Sequence, residues 1–207
     1  MWGGPGWGRM RPVSLLEDSS MTDPANIEVP EEFESERLII RRPRQEDAAE
    51  LNAAIRESFD ALHQWMPWAG HVPELAETEA NVRAACESFN AATDLRLHLF
   101  LKDTGVLIGC SGLSRIDWTV PKFDIGYWVR SSYAGQGYIT EAVNAITEFA
   151  FRKLGAERVS ICMNSRNTRS RMVAERAGFE YEGTLRNDMR EPNGRLRDTM
   201  VYSKIRL

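Results

Sequence analysis

Hydrophobic and polar residues alternate along seven segments of the chain, a pattern typical of β-strands whose two faces meet different surroundings. The clearest case carries leucine at every second position from Leu95 to Leu101. Other segments are rich in β-branched and aromatic residues and are bounded by turn residues. One such turn is Asp103-Thr-Gly105, between the second and third predicted strands. The predicted strands are residues 36–42, 95–101, 106–116, 123–129, 158–163, 179–186 and 195–205.

Four further segments repeat their hydrophobic residues with the 3.6-residue period of an amphipathic helix. The most regular apolar stripe consists of Ile139, Ala142, Val143, Ile146, Phe149 and Ala150. Gly178 follows the last predicted helix, where a glycine readily adopts the left-handed conformation that ends a helix. The predicted helices are residues 45–58, 74–90, 139–154 and 167–177, and residues 59–70 are predicted as a short apolar connection.

The predicted element order is βααβββαβαββ, without an internal repeat. This order indicates an α/β protein with a mixed, mostly antiparallel central sheet and one strand–helix–strand crossover in its middle. We expect one domain, residues 33–207, because a chain of 207 residues suffices for one substantial core. Residues 1–32 are rich in Gly, Pro and Ser and are predicted to form a flexible arm that carries Trp2 and Trp7, with Met21 as an alternative translation start.

Composition narrows the functional classes. The net charge of −4 argues against a nucleic-acid-binding surface, which is normally basic. The three cysteines (Cys86, Cys110 and Cys162) and the three histidines (His63, His71 and His98) are scattered without metal-ligand spacing, so we expect no metal and a reducing cytoplasm. No apolar run is long enough to predict a membrane span.

A glycine-rich turn leads directly from the 123–129 strand into the 139–154 helix. Gly135 and Gly137 remove side chains where a ligand would approach the backbone, and the first amides of a helix have no intrahelical partner. These features favour phosphate binding. The turn lacks the Gly-Lys-Ser/Thr of a kinase-type loop, and Thr140 stands where a dinucleotide fingerprint has its third glycine.

Several separated segments, in this order and spacing, resemble the GCN5-related N-acetyltransferases, within the branch that acetylates ribosomal-protein alanine or serine N-termini. The resemblance covers residues 33–207. The segments are Ser35-Glu-Arg-Leu-Ile-Ile-Arg-Arg, Trp65-Met-Pro-Trp, Ile125-Gly-Tyr-Trp-Val, Gly135-Gln-Gly-Tyr-Ile-Thr-Glu-Ala, Asn167-Thr-Arg-Ser-Arg-Met-Val-Ala-Glu-Arg-Ala-Gly-Phe and Glu182-Gly-Thr-Leu-Arg.

The resemblance implies the acyl-CoA N-acyltransferase fold, with splayed central strands and acetyl-CoA as co-substrate. The family's phosphate motif matches residues 134–139, where Ala134 and Ile139 depart from it and Gly137 is kept. The implied pantetheine-binding residues are Tyr127, Trp128 and Val129. The implied pyrophosphate-binding residues are Gly135, Gln136, Gly137, Tyr138, Ile139 and Thr140, and Asn167 and Ser170 are implied to meet the pantetheine.

The implied reaction is direct transfer of acetyl from a thioester to an amine, without a covalent enzyme intermediate. It needs a base for the ammonium. Asp124, just before Ile125-Gly-Tyr-Trp, is the first candidate, although a solvated carboxylate paired with Lys122 is the alternative. Glu87 is the second candidate base. Ser170 is implied to donate to the departing thiolate, and Trp65, Trp68 and Tyr138 are interpreted mainly as packing residues.

The acceptor stays open at this point. The resemblance implies a protein N-terminal amine, that of a ribosomal protein in the first instance, and the alternatives are a polyamine, an amino acid or an amine antibiotic. An enclosed pocket favours a small amine and an open groove favours a peptide. A non-catalytic acyl-CoA sensor and an NAD-dependent oxidoreductase are the competing classes, and the second is disfavoured by the absent third glycine. The resemblance also implies a homodimer, for which an exposed Trp118 is a candidate contact.

Overall fold

The computed structural model describes residues 29–191 and 194–206. Most of the predicted arm, including Trp2, Trp7 and Met21, and the centre of the turn at residues 191–194 lie outside the described residues. Within them, Val29 and Phe33 already pack against the main core.

Eight strands form a single sheet. They are β1 (Glu32–Glu34), β2 (Leu38–Arg41), β3 (Leu95–Leu101), β4 (Leu107–Asp117), β5 (Lys122–Val129), β6 (Arg158–Asn164), β7 (Glu180–Arg190) and β8 (Leu196–Ile205). The strand order is β1-β2-β3-β4-β5-β6-β8-β7, and all neighbours are antiparallel except β5 and β6. The predicted mixed, mostly antiparallel sheet is confirmed, and β1 is a short additional strand.

Helices cover both faces of this sheet. They are α1 (Ala48–Glu57), α2 (Phe59–His63), α3 (Leu75–Asn90), α4 (Tyr138–Lys153) and α5 (Thr168–Arg176), and one turn of 3-10 helix (Gln45–Asp47) precedes α1. Helix α4 packs on β2, β4, β5 and β6, whereas α1 and α3 pack on β4 and β3. The segment predicted as a connection at 59–70 therefore contains the five-residue helix α2.

Alternating side chains of the strands fill two cores on opposite faces of the sheet. Odd-numbered leucines of β3 meet the α4 stripe, so that Leu97, Leu99 and Ile146 are almost inaccessible to solvent. On the other face a smaller core gathers α1, α2 and α3 against residues such as Phe100 and Cys110. Burial of these apolar side chains is the main stabilising contribution to the fold.

A charged cluster anchors the start of α1 to the second face. The Asp47 carboxylate accepts hydrogen bonds from the His98 Nδ1 at 2.8 Å and from the Arg41 guanidinium at 2.5 and 2.9 Å. Burial alone would raise the pKa of Asp47, but these hydrogen bonds hold it well below its usual range. Burial alone would lower the pKa of His98, but Cys110 and Asp47 outweigh it and raise this pKa to about 9.

Trp118 does not lie exposed as the sequence suggested. Its indole Nε1 donates to the Ala92 carbonyl at 3.1 Å, and its ring packs edge-on against Phe123 at 5.1 Å between centroids. Trp118 thus packs against the main core and is not the exposed aromatic residue that was predicted as a dimer contact.

Candidate active site

The central strands β5 and β6 separate after three residue pairs. Their parallel pairing runs from Lys122 opposite Arg158 to Asp124 opposite Ser160. Beyond Asp124, β5 keeps its antiparallel partner β4 as far as Val129, while β6 continues alongside β8. The β5 edge from Ile125 to Val129 therefore presents backbone N–H and C=O groups toward a gap. Such an edge can pair with an extended, amide-bearing ligand.

The glycine turn has the backbone geometry that phosphate binding requires. Gly135 and Gly137 have φ of +78° and +85°, which favour glycine, and Gly137 is the N-cap of α4. The first hydrogen bond of the helix runs from the Glu141 N–H to the Gly137 carbonyl at 3.1 Å. The amides of Tyr138, Ile139 and Thr140 precede this ladder and have no intrahelical acceptor. They form an anion-binding helix terminus.

Ile139, which departs from the family motif, fits this geometry. Its side chain belongs to the main core and is only 9% exposed. Because the side chain points inward, the backbone amide of Ile139 stays available in the first turn of α4. The pyrophosphate site predicted at residues 135–140 is thus compatible with the large residue there.

A long-range clamp that the sequence did not reveal holds this turn against β2. The Glu141 carboxylate accepts from the Arg37 backbone N–H at 2.7 Å and from the Arg37 Nε at 2.6 Å, and the Ser35 hydroxyl donates to it at 2.7 Å. The same Arg37 donates to the Gln136 carbonyl at 3.2 Å and stacks on the Tyr138 ring. Burial opposes ionisation of Glu141, but Ser35 and Arg37 hold its pKa below the ordinary value.

Two hydroxyls meet across the gap between the separated strands. The Tyr127 hydroxyl lies 2.9 Å from the Ser170 Oγ and 3.2 Å from the Ser170 carbonyl oxygen. Asn167 caps α5 by accepting the Ser170 N–H at 3.1 Å, and this contact fixes the first turn of α5. Burial raises the pKa of Tyr127 to about 12, so its hydroxyl stays protonated across the physiological range.

Asp124 stands where β5 and β6 part, on the sheet face that carries α1 and α3. Its neighbours across the sheet are Ser114 on β4 and Ser160 on β6. The carboxylate is paired with the Arg115 Nε at 2.6 Å; Lys122, the partner suggested by the sequence, pairs with Asp117 instead. Burial raises the pKa of Asp124 despite the opposing charge of Arg115. A raised pKa suits a base that must accept a proton near neutral pH.

A cavity of about 520 Å³ lies on the same face of the sheet. Its floor is formed by β4 and β5, where Gly126 lies two residues from Asp124, and Gly126 has open space where a Cβ would stand. Helices α1 and α3 and the segment after α2 form its walls. The lining residues are Leu51, Ile55, Met66, Trp68, His71, Pro73, Glu77, Thr78, Asn81, Asp94, Arg96, Cys110–Ser114, Gly126, Tyr127 and Trp128.

Asp94 and Glu77 are the carboxylates among the lining residues, whereas Asp124 is not one of them, and Asp94 had no sequence signal. Asp94 precedes β3, and burial raises its pKa although Arg96 opposes the shift. Extending the register of Leu95 with Leu113 places Asp94 beside Ser114, in one row with Asp124. Glu87, the alternative base, is exposed on α3 and is absent from the cavity lining.

Some of the aromatic residues that the sequence singled out line the cavity, and others pack elsewhere. Trp68 and Trp128 line the cavity, with ring centroids 6.4 Å apart. Trp65 instead borders a small crevice between the segment after α2 and the β7–β8 hairpin. Tyr138 packs against Tyr133 and beneath Arg37 at the glycine turn. Trp68 therefore packs against Trp128 and also forms part of the cavity wall.

In the part of the chain that the structure describes, no group of three or more His, Cys, Asp and Glu residues has the arrangement of a metal site. None of the helices in residues 29–191 and 194–206 is long and apolar enough to cross a membrane.

Comparison with known proteins supplies an independent line of evidence. Residues 37–180 match the family model described as an acetyltransferase (GNAT) domain. The chain is 31% identical over 172 residues to YdaF of Bacillus subtilis (strain 168), provisionally named a ribosomal N-acetyltransferase, which covers 83% of this chain and 93% of that protein. It is 25% identical over 150 residues to the ribosomal-protein-serine acetyltransferase of Escherichia coli (strain K12), covering 68% and 83%.

A solved structure extends the likeness to the fold. The Microcin C7 self immunity acetyltransferase MccE, in complex with acetyl-CoA and AMP, superimposes with a TM-score of 0.77 at 25% identity. The alignment covers 91% of this chain and 100% of that one. The fold of this chain is thus shared with a structure that contains acetyl-CoA.

Proposed function

Because the chain belongs to the acetyltransferase (GNAT) family and is an acetyl-CoA-dependent N-acetyltransferase, we propose that its acceptor is the N-terminal amine of a protein, a ribosomal protein in the first instance. The observation that carries this proposal is the open cavity beside Asp124. Its rim is accessible, since Trp68 is 52% exposed and the side chains of His71 and Glu77 are 69% and 51% exposed. A polypeptide can extend out of such a mouth, whereas a small amine needs no opening of this width.

The names of relatives support a ribosomal protein as the acceptor. The Escherichia coli relative is named for ribosomal-protein serine, and YdaF is provisionally named for the ribosome. Neither name specifies which protein this chain modifies. A panel of ribosomal-protein N-terminal peptides is therefore the direct way to find the acceptor.

The chain's own residues account for cofactor binding in three places. The amides of Tyr138, Ile139 and Thr140 hold the pyrophosphate, because they have no intrahelical acceptors. The free edge of β5 at Tyr127, Trp128 and Val129 pairs with the pantetheine amides. Arg37 acts on this site indirectly, by fixing the Gln136 carbonyl and Glu141. We therefore regard Arg37 as a positioning residue.

Asp124 acts as the base in this proposal. An ammonium group has no lone pair with which to attack, so its proton must leave first. Asp124 lies next to the cavity floor at Gly126 and at the end of the paired part of β5 and β6. Asp124 is not itself a lining residue, so in this proposal it takes the proton of an amine at the Gly126 floor through one water. Asp94, farther along the same row, attracts the acceptor ammonium into the cavity before its proton is removed.

Tyr127 and Ser170 act on the other side of β5. Their hydroxyls are joined at 2.9 Å in the gap where the thioester sulfur belongs. When the amine nitrogen bonds to the acetyl carbon and the carbon–sulfur bond breaks, the sulfur leaves as a thiolate. The Ser170 hydroxyl donates a hydrogen bond to this thiolate, and Tyr127, which stays protonated because burial raises its pKa to about 12, holds the Ser170 side chain in place.

The test is acetyl-CoA turnover, followed by thiol release, for wild type and Asp124→Asn against N-terminal peptides and small amines. Loss of a positioned base typically costs on the order of 10²–10⁴-fold in rate. We expect peptide-dependent turnover in wild type and a loss of that size in the variant, with acetyl-CoA affinity unchanged. Turnover with polyamines or free amino acids alone would refute the protein acceptor, and full activity of Asp124→Asn would refute the base.

A further inference from the structure

The cavity has two chemically different ends. Toward α1 its lining is apolar and consists of Leu51, Ile55, Met66, Trp68, Cys110 and Trp128. Along α3 and at the start of β3 the lining is polar or charged, with His71, Glu77 and Thr78 near the start of α3, Asn81 one turn on, and Asp94 and Arg96 from β3 and the residue before it. An acceptor that fills the cavity must therefore carry an apolar group on one side of its amine and polar groups on the other.

The geometry of β5 fixes the distance between the amine and the apolar end. The side chains of Asp124, Gly126 and Trp128 share the cavity face, since alternate residues of a strand point to the same side. Gly126 contributes no side chain, and open space stands where its Cβ would be. Two residues along a strand span about 7 Å, so Trp128 begins about one side-chain length from the floor at Gly126. A side chain on the acceptor's first residue reaches the apolar end from there.

The segment that borders the cavity mouth carries exposed apolar side chains. Trp68, Val72 and Leu75 are 52%, 38% and 43% exposed, and of these three Trp68 lines the cavity. Large apolar side chains left exposed next to one another often mark a binding surface. Trp68 belongs both to this surface and to the cavity lining, and it contacts the Trp128 ring from the outside.

We propose that the apolar end of the cavity is a pocket for the first side chain of the acceptor, with Trp68 as its specificity-determining residue. The substrate class is a polypeptide whose free N-terminal residue has a large apolar side chain, such as leucine or methionine. This inference rests on the proposed function, because it assumes that a polypeptide N-terminus occupies the cavity. It goes beyond that function, because a relative named for serine implies a small polar first residue.

The experiment compares peptides that differ only in their first residue: leucine, methionine, alanine and serine, with an N-terminally blocked peptide as the blank. The kcat/KM for each is measured with wild type, Trp68→Ala and Trp68→Phe. Wild type should prefer leucine and methionine over serine by roughly 10–100-fold, as expected for a buried apolar contact. Trp68→Ala should lose most of that preference by reducing turnover of the leucine peptide, and Trp68→Phe should restore part of it.

Val120→Ala is the matched control, because Val120 is 58% exposed and lies in the turn between β4 and β5. It should retain the preference of wild type. Equal kcat/KM for serine and leucine peptides in wild type would overturn this inference and leave the protein acceptor standing. So would equal losses for all peptides in Trp68→Ala, since that result indicates a structural role. If small amines are acetylated and none of the peptides is, the proposed function itself is overturned.

Discussion

The hydroxyl of Tyr127 on β5 and the hydroxyl of Ser170 on α5 lie 2.9 Å apart, across the opening between the two central strands. The two residues are separated by 43 positions in the sequence and meet because β5 and β6 part after Asp124. Asn167 fixes the Ser170 end of this contact through the cap of α5. The contact is therefore a built part of the site and not a chance approach of two surface hydroxyls.

Removing either hydroxyl should slow the chemical step more than it weakens binding. In the proposed mechanism Ser170→Ala leaves the departing thiolate without its hydrogen-bond donor, and Tyr127→Phe removes the hydroxyl that positions Ser170. We expect kcat to fall by roughly 10²-fold in Ser170→Ala and by less in Tyr127→Phe, with small changes in KM for acetyl-CoA. Steady-state kinetics with both variants and the double variant give the result. Additive losses would contradict a hydrogen-bonded pair that acts as a unit, because residues that act as a unit are non-additive.

Asp124 should set the acidic limb of the pH–rate profile. The base works only when ionised, so activity falls as the pH drops through its pKa, which burial raises above the ordinary aspartate value. Arg115 opposes that shift, and Arg115→Gln should therefore move the acidic limb to higher pH. The profile of kcat/KM against pH for wild type and Arg115→Gln measures this change. Glu87→Gln is the control, and its profile should match that of wild type, since Glu87 is exposed and outside the cavity.

The Arg37–Glu141 clamp should matter for the cofactor and not for the chemical step. Glu141→Gln weakens the hold on the first turn of α4, and Arg37→Ala also frees the Gln136 carbonyl. We expect the Kd for acetyl-CoA to rise about tenfold in Arg37→Ala while kcat at saturation changes little. Calorimetric titration with acetyl-CoA measures this. The double variant Arg37→Ala/Glu141→Gln should add little to Arg37→Ala, and a fully additive loss would show that the two residues act separately.

The cluster of Asp47, His98 and Arg41 should make stability depend on pH in two windows. The folded pKa of His98 is about 9 and its ordinary value is 6.5, so its contribution is fully present below 6.5 and is lost as the pH rises through 9. The pKa of Asp47 is lowered, so its contribution is present above 3.8 and is lost as the pH falls. Urea unfolding from pH 3 to 10 measures both. In His98→Gln the decline of the free energy of unfolding between pH 6.5 and 9 should flatten.

Gly137→Ala should test the left-handed residue that begins α4. With φ at +85°, a side chain there is strained by about 1–2 kcal/mol, and the new Cβ would also approach the Arg37 guanidinium at 3.5 Å. We expect a modest decrease in Tm together with weaker acetyl-CoA binding. Gly126→Ala is the contrast, because its Cβ meets open space at the cavity floor. Its effect should fall on the acceptor KM, with acetyl-CoA affinity preserved.

The sequence predicted the elements that carry a strong period and missed those that do not. The strand at Leu95–Leu101 and the stripe of α4 were unambiguous because many residues repeat one pattern. The five-residue helix α2 and the three-residue strand β1 are shorter than any period can reveal. The exposure of Trp118 was predicted wrongly, because a single tryptophan between two strands belongs to no periodic pattern that would indicate whether its side chain is buried.

The residues of the candidate site also divide into those that the sequence predicted and those that it did not. Gly135, Gly137, Asn167 and Ser170 lie in local motifs, so their positions in the structure follow from neighbouring residues. Arg37 and Asp94 gave no such signal. Arg37 meets Glu141 across 104 residues, and Asp94 enters the cavity only because β3 pairs with β4 in one register. Contacts of this kind depend on tertiary packing, which a single sequence does not display.

Only three residue pairs join β5 to β6, so the sheet consists of a five-strand block and a three-strand block that meet along a short seam. A pantetheine chain laid along β5 fills the open part of that seam and behaves as a missing strand. Bound acetyl-CoA then stabilises the seam against local opening, and this stabilisation grows with the logarithm of the acetyl-CoA concentration. Amide exchange in β6 and β8 should slow as the donor accumulates. The rigidity of this protein would then rise and fall with the acetyl supply that it consumes.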